Sequence, residues 1–248
     1  MTDVQLAFVH SAFEWLGIFI AVRMYLRAGG TSLRALGRSS QFSVIFGCIV
    51  GAAIGNKLVH WIHHAEQWPL LMQSPWLFLQ GQSIVGGLLG GLIGVEIGKR
   101  VAGLTQSTGD RFVVPILVGL LIGRIGCFLA GLQDDTYGNP TTLPWGIDFG
   151  DGLRRHPTQL YDMLFAAAGL AITPWLRPRL AREPGLLFKL FLAAYLLWRL
   201  LIDGLKPVPF AFFDETFIGG ISGIQLVCAL ALCAYLPLLV RQWSRLRR

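Results

Sequence analysis

Long apolar runs recur along the whole chain, and they limit the folds that it can adopt. A helix that crosses a bilayer needs roughly 20 consecutive, mainly apolar residues. Seven segments of the chain approach or exceed this length: 6–26, 42–62, 76–98, 112–132, 158–176, 186–205 and 221–240. The pattern predicts an all-α polytopic membrane protein with seven transmembrane helices.

The composition leaves little room for a soluble domain. Of the 248 residues, 54% are hydrophobic and only 14% are charged, whereas a soluble domain carries about a quarter charged residues. We therefore expect one integral membrane domain over residues 1–248, with an outer polar segment near residues 133–157. The first ten residues lack the basic start of a secretory signal peptide, so the first helix is expected to be retained.

The distribution of basic residues predicts the orientation of the helices. Fifteen of the 21 Lys and Arg residues lie in alternate connections or at the C-terminus, within 23–38, 99–111, 177–189 and 241–248. The opposite connections hold acidic residues: Asp134, Asp135, Asp148, Asp151, Asp214 and Glu215. Because basic loops stay in the cytoplasm, the N-terminus is predicted outside and the C-terminus inside. Basic residues scattered among short loops do not favour nucleic-acid binding, whereas they suit anionic lipid surfaces.

Small and sulfur-containing residues indicate close helix packing. Glycines recur every four residues on three of the predicted spans, at Gly47, Gly51 and Gly55, at Gly90, Gly94 and Gly98, and at Gly119 and Gly123. Such spacing lets helix backbones approach closely in lipid, and it could also form the thin wall of a lipid cavity. The four cysteines lack metal-ligand spacing, so free thiols and no metal site are expected.

Arg124 is the polar residue with the strongest functional signal. It lies in an apolar, glycine-rich run, and a charge inside a bilayer by default marks a functional site. The predicted orientation places other polar residues at the same outer depth: Glu14, Lys57, His60, Asp162, Arg199, Asp203 and Lys206. Arg124 could pair with Asp162, Asp203 or Glu14, or its planar fork could hold a phosphate. Several cations open to the outer leaflet suit a phospholipid head group.

For some of the charged residues, an ion pair with a residue nearby in the sequence is the simpler interpretation. Arg199 and Asp203 are four residues apart and share a helix face, and Glu96 lies close to Lys99. Glu14 could likewise pair with Lys57, from another predicted span.

The outer segment adds a tight turn and a helix start. Residues 137–141 have the composition of a turn. Pro157 favours a helix start, so Arg155 and His156 precede a helix N-terminus, where a phosphate is stabilised. His156 could transfer protons near neutral pH, or it could be a capping residue.

In four segments the chain resembles the prolipoprotein diacylglyceryl transferase family, and the resemblance is that of a divergent member. GRIGCFLAG at 123–131 is similar to the family's GR-x-GNF-x-NG signature, and RHPTQLYD at 155–162 is similar to RHPSQLYE. QSIVGGLLGG at 82–91 and GISGIQL at 220–226 resemble the starts of the third and last family spans. The resemblance implies transfer of a diacylglyceryl group from phosphatidylglycerol to a lipobox cysteine thiol of a prolipoprotein, with glycerol phosphate leaving.

The resemblance and the polar residues at the outer depth together predict roles for individual residues. Arg124, His156 and Lys206 are expected to be catalytic, with no cofactor and no metal. The expected substrate-binding residues are Lys57, Gly126, Cys127, Tyr137, Arg155, Gln159, Tyr161 and Arg199. The implied location is the bacterial cytoplasmic membrane, with the active site facing the outer leaflet and the bilayer as partner.

The chain departs from the family pattern at four positions. Val85 stands where the family commonly has histidine, Cys127 and Ala130 replace two signature asparagines, and Lys206 replaces an arginine. The proton acceptor would then be His156, Asp135 or Asp162. A related transferase with another acceptor therefore remains an alternative, as do a non-catalytic lipid-binding or transport protein and a structural assembly partner.

Overall fold

The computed structural model describes residues 3–28, 38–212 and 220–246, and in these ranges the regular secondary structure is helical except for one short ribbon. The α-helices are α1 Asp3–Ala28, α2 Arg38–His63, α3 Trp68–Gln73, α4 Ile84–Val101, α5 Val113–Ala130, α6 Thr158–Arg179, α7 Leu186–Ile202 and α8 Gly223–Leu246. Short 3-10 turns connect several of them. Arg34, Asp214, Glu215, Arg247 and Arg248, which contributed to the predicted orientation, lie outside the described residues.

Four helices in the described ranges are long and apolar enough to cross a membrane. They are Val4–Arg27, Ser40–His63, Gly109–Asp134 and Gly223–Leu246. Of the remaining long helices, α4 carries Glu96, Lys99 and Arg100 near its end, and α7 has only 17 residues. The all-α membrane class is confirmed, and the count of seven spans stays a prediction.

The third predicted span is wrong at its N-terminal end. Trp76 lies in a 3-10 turn, Pro75–Leu79, and the helix starts only at Ile84. Two features separate the turn from the helix. Gly81 has a φ of +67°, and Ser83 caps α4 by accepting a hydrogen bond from the amide of Gly86 at 3.4 Å. The apolar side chains of 76–79 therefore belong to a connection and not to the helix.

The glycine repeats bring two helix pairs into backbone contact, as their spacing predicts. In the α2–α4 pair, a Cβ atom at Gly90 would overlap the carbonyl oxygen of Gly51. In the α1–α5 pair, a Cβ atom at Gly17 would lie 2.9 Å from the carbonyl oxygen of Gly119. Both pairs are antiparallel, because residue numbers rise along one helix as they fall along its partner.

Two glycines on adjacent faces of α4 provide a test of this packing. We expect Gly90→Ala to destabilise the protein by about 1–3 kcal/mol, because the rigid backbone of Gly51 must move to accept the methyl group. Gly87→Ala is the matched control, since its Cβ atom would meet only Asn56 Cβ at 3.9 Å. Thermal unfolding midpoints in detergent measure both. Equal midpoints would contradict the packing argument.

The outer segment is a short antiparallel ribbon that is anchored to the end of α7. Strand β1, Ile147–Asp148, pairs with β2, Arg154–Arg155. Asn139 donates its backbone N–H to the carbonyl oxygen of Leu205 at 2.7 Å, and its side-chain Nδ2 donates to the carbonyl oxygen of Lys206 at 3.2 Å. The loop therefore fixes the backbone that carries Lys206.

Candidate functional site

A cavity of about 980 Å³ lies between the helices, near the connections that include residues 64–67, 80–83, 134–137 and 206–209. Five of the predicted site residues line it: Arg124, Cys127, Tyr137, Arg199 and Lys206. Its volume falls at the upper end of the range, about 300–1,000 Å³, in which proteins bind small molecules. The cavity is therefore the candidate site.

Asp162 joins three helices at the base of the cavity. Its side chain is 1% exposed, and its Oδ2 atom lies 2.8 Å from Arg124 Nε and 3.3 Å from Arg199 Nη1. The other carboxylate oxygen accepts a hydrogen bond from Trp198 Nε1 at 2.8 Å. Of the partners considered for Arg124, Asp162 is thus the one confirmed.

Asp203 is the second carboxylate of the site. Its Oδ1 atom lies 2.6 Å from Arg199 Nη2, which confirms the predicted pair, and 3.7 Å from Lys206 Nζ. Three cations, Arg124, Arg199 and Lys206, therefore face two carboxylates. Buried ions are costly unless they are compensated, so this cluster of five side chains, which has one positive charge in surplus, suits an anionic group. The same cavity is also lined by Glu14, Asp134 and Asp135.

Lys206 lies just beyond α7, with 11% of its side chain exposed. Burial is the largest influence on its ammonium group and lowers its pKa to about 8, with a further lowering by Arg199 and an opposing effect of Asp203. Lys206 is therefore still mainly protonated at pH 7, and a bound anion would hold its proton more firmly.

A second polar cluster, formed by His10, Cys127 and Asp134, lines another wall of the cavity. His10 Nδ1 lies 2.8 Å from Asp134 Oδ1, and one donor atom of each of the three residues lies within 4.8 Å of the others. Arg124 Nη1 lies 3.6 Å from Cys127 Sγ. Within the described residues, this is the one group of three such side chains close enough to share a metal ion.

Three predicted residues lie in the outer segment or beside it and do not line the cavity. His156 Nδ1 is 3.3 Å from Tyr161 Oη, which also accepts a hydrogen bond from Trp145 Nε1 at 2.8 Å. Arg155 donates twice to Asp151 Oδ2, at 2.8 and 2.6 Å. As predicted, His156 and Arg155 precede a helix start, which is Thr158.

The remaining predicted residues do not line the cavity themselves. Lys57 Nζ donates to the carbonyl of Gly81 at 2.6 Å, so the pairing of Lys57 with Glu14 that the sequence suggested is wrong. Gly126 packs on α1, where a Cβ atom would lie 2.7 Å from Phe13 Cβ. Gln159 is fully buried, and its amide has no hydrogen-bond partner in the part of the chain described.

Two cavity residues were missed by the sequence reasoning. Tyr195 is fully buried, and its hydroxyl has no hydrogen-bond partner among the described residues. Tyr195 lies four residues before Arg199 and therefore on the same helix face, and this spacing could have identified it from the sequence. The second missed residue is His10, which the spacing of four from Glu14 could have identified in the same way. Val85, where a family histidine was noted, is 1% exposed and lines the cavity.

A second cavity, of about 1120 Å³, continues along α4. It shares lining residues with the first cavity: Gln82, Ser83, Ile84, Leu88 and Ile116. Its middle is lined by glycine and aliphatic side chains. Its far end is mainly basic, with Lys99, Arg100, Lys189, Arg241 and Arg245. An apolar passage therefore leads away from the charged site.

The fold and the cavity define an all-α membrane protein with a buried cluster of ion pairs in which cations outnumber carboxylates. The family model for prolipoprotein diacylglyceryl transferase matches residues 5–241. The chain belongs to the prolipoprotein diacylglyceryl transferase family.

Individual relatives agree with this assignment. A phosphatidylglycerol–prolipoprotein diacylglyceryl transferase of Geobacter sulfurreducens is 32% identical over 207 residues, which cover 78% of each chain. The protein of the same name from Cupriavidus metallidurans is 31% identical over 84% of this chain and 74% of its own. That from Legionella pneumophila is 32% identical over 76% and 73%.

Proposed function

We propose that this protein transfers a diacylglyceryl group from phosphatidylglycerol to the thiol of a lipobox cysteine in a prolipoprotein. The observation that carries the proposal is the buried cluster in which three cations, Arg124, Arg199 and Lys206, outnumber the two carboxylates that pair with them, in a cavity among membrane helices. The relatives named for this reaction support it.

The phosphodiester of phosphatidylglycerol carries one negative charge, which matches the surplus of the site. Arg124 uses Nε towards Asp162, so its terminal nitrogens can donate to phosphate oxygens as a fork. Lys206 and the unpartnered hydroxyl of Tyr195 are further donors on the same cavity. Fixed donors of this kind stabilise the charge that develops on a leaving glycerol phosphate.

The second cavity is our proposed location for acyl chains. It begins at residues shared with the charged site, and its middle is apolar. A donor lipid could therefore place its phosphate at Arg124 and its chains along α4, where Gly87 and Gly91 leave space beside the helix.

We also propose the finer topology of a single membrane domain over residues 1–248. Seven helices, α1, α2 and α4–α8, would cross the bacterial cytoplasmic membrane, with the N-terminus outside. The antiparallel α1–α5 and α2–α4 pairs support this alternation. The site lies at the helix ends opposite to Lys99, Arg100 and Arg241, so the basic-inside rule places it towards the outer leaflet.

The proposal is tested with the purified protein in micelles that contain phosphatidylglycerol labelled in its diacylglyceryl part. A lipobox peptide is the acceptor, and the same peptide with serine in place of cysteine is the control. We expect label on the cysteine peptide alone, with one glycerol phosphate released for each label. Lipid binding without release would favour a non-catalytic lipid-binding protein, and release without peptide labelling would favour another acceptor.

A further inference from the structure

We propose that His10, held by Asp134, is the proton acceptor that converts the incoming thiol to a thiolate. This inference rests on the proposed transfer reaction and assigns a catalytic role to a residue of the first helix. A thiol attacks as its thiolate, so the reaction needs a base that reaches the acceptor sulfur.

The geometry of His10 is that of an oriented imidazole. Nδ1 lies 2.8 Å from Asp134 Oδ1, and about a third of the side chain is exposed, on the cavity wall. A carboxylate beside one ring nitrogen favours the tautomer with its proton there, which leaves the other nitrogen free to accept a proton. Nε2 faces Glu14 Oε2 at 4.0 Å, beyond a hydrogen bond, so an acceptor thiol can approach it.

The turn after α5 brings Asp134 to His10. α5 ends at Ala130, and Gly131 takes a φ of +62°, which directs the chain into the 3-10 turn Gly131–Asp134. This turn packs on α1, so the carboxylate meets a histidine that is distant in sequence.

The base lies next to the proposed phosphate site. One ring nitrogen of His10 is within 4.8 Å of Cys127 Sγ, and Arg124 Nη1 is 3.6 Å from the same sulfur. A lipid phosphate on Arg124 and a thiol on His10 would therefore be neighbours in one cavity. Among the described residues, the titratable groups beside His10 are Glu14 on its own helix and Cys127 and Asp134 on α5 and the turn after it. Arg124 lies next to Cys127.

The other cavity histidines lack this combination within the described residues. The ring of His60 fills the space where a side chain at Gly81 would lie. Nδ1 of His63 is buried without a hydrogen-bond partner in the described ranges. His64 has a carboxylate partner, Glu66 at 3.1 Å, but both residues lie in the connection after α2, and no described contact joins them to Arg124.

The S–H bond of the acceptor cysteine breaks, and its proton moves to His10. The sulfur electron pair forms a C–S bond with the terminal glyceryl carbon of the diacylglyceryl group. The C–O bond from that carbon to the phosphate breaks, and its electron pair leaves with glycerol phosphate.

The test compares His10→Gln with Arg154→Gln, which changes an exposed side chain of β2 outside the cavity lining. Peptide labelling is measured from pH 6 to pH 9.5, and phosphatidylglycerol binding is measured separately. At pH 6.5 we expect His10→Gln to lose about 10²–10³-fold in kcat/KM, with lipid binding unchanged. The loss should shrink towards pH 9.5, because a free thiol ionises unaided with a pKa of about 8.5. Arg154→Gln should match the wild type.

Further variants keep the test independent of folding defects. Added imidazole should restore part of the activity of His10→Ala, and Asp134→Asn should show a smaller loss with the same pH dependence. A loss that is equal at every pH, without imidazole rescue, would overturn the proposal, as would wild-type rates in His10→Gln. Inactivation of the wild type by a chelator would overturn it too, since the cluster would then hold a metal. A wild type that labels no peptide would instead refute the proposed function.

Discussion

Asp162→Asn should destabilise the protein by about 3–5 kcal/mol, because removing one member of a buried ion pair leaves an uncompensated charge. Asp162 is 1% exposed and is shared by Arg124 Nε at 2.8 Å and Arg199 Nη1 at 3.3 Å. Asparagine keeps the size of the side chain and can still accept the hydrogen bond from Trp198. The loss therefore reports the charge and not a cavity.

Thermal unfolding midpoints and expression in the membrane fraction measure this effect. Asp151→Asn is the matched control, since the same substitution there removes the carboxylate that accepts two hydrogen bonds from Arg155 in the outer segment. Solvent screens that pair, so its midpoint should stay close to that of the wild type. If both variants unfolded at the wild-type temperature, Asp162 would not be the centre of the site.

Contacts between residues close in sequence could be predicted without the structure. Arg199 with Asp203 and Glu96 with Lys99 follow from spacings of four and three on a helix. The glycine repeats likewise predicted backbone contact, because a missing side chain acts in the same way whichever helix is the partner. The membrane class followed from hydropathy alone, which does not depend on tertiary contacts.

Contacts between distant segments could not be chosen from the sequence. Asp162, Asp203 and Glu14 were equal candidates for Arg124, and only the crossing of α5 with α6 selects Asp162. His10 and Asp134 are brought together by the turn that follows α5, which hydropathy does not describe. His156 was expected at the site because its motif was similar to the family's, but its ring contacts Tyr161 outside the cavity lining.

The start of the third predicted span illustrates a different limit. Hydropathy averages over a window, so the apolar side chains near Trp76 were joined to those of α4. The interruption depends on single residues, the positive φ of Gly81 and the cap at Ser83. Backbone conformation at such positions outweighs the average polarity of the segment.

Arg124→Ala should lower kcat/KM for phosphatidylglycerol by about 10²–10³-fold, which is the usual cost of removing one donor to a developing oxyanion. The variant should still fold, because Asp162 keeps Arg199 and Trp198 as partners. Arg124→Lys should recover only part of the activity, since lysine keeps the charge and loses the planar fork. Arg154→Ala is the control, because Arg154 is an exposed arginine on β2.

Asp162→Asn and Arg124→Ala remove opposite members of one ion pair, so they change the charge of the site in opposite directions. Comparing the two variants therefore distinguishes an effect on folding from an effect on catalysis. Asp162→Asn raises the surplus from one positive charge to two, which the protein alone must accommodate, so stability falls. Arg124→Ala lowers the surplus to zero, which removes the attraction for a phosphodiester while the carboxylates remain paired. When both quantities are measured on both variants, Asp162→Asn should show the larger fall in unfolding midpoint. Arg124→Ala should show the larger fall in labelled transfer. If Arg124→Ala lost stability as severely as Asp162→Asn and kept its activity when folded, Arg124 would serve the fold and not the lipid.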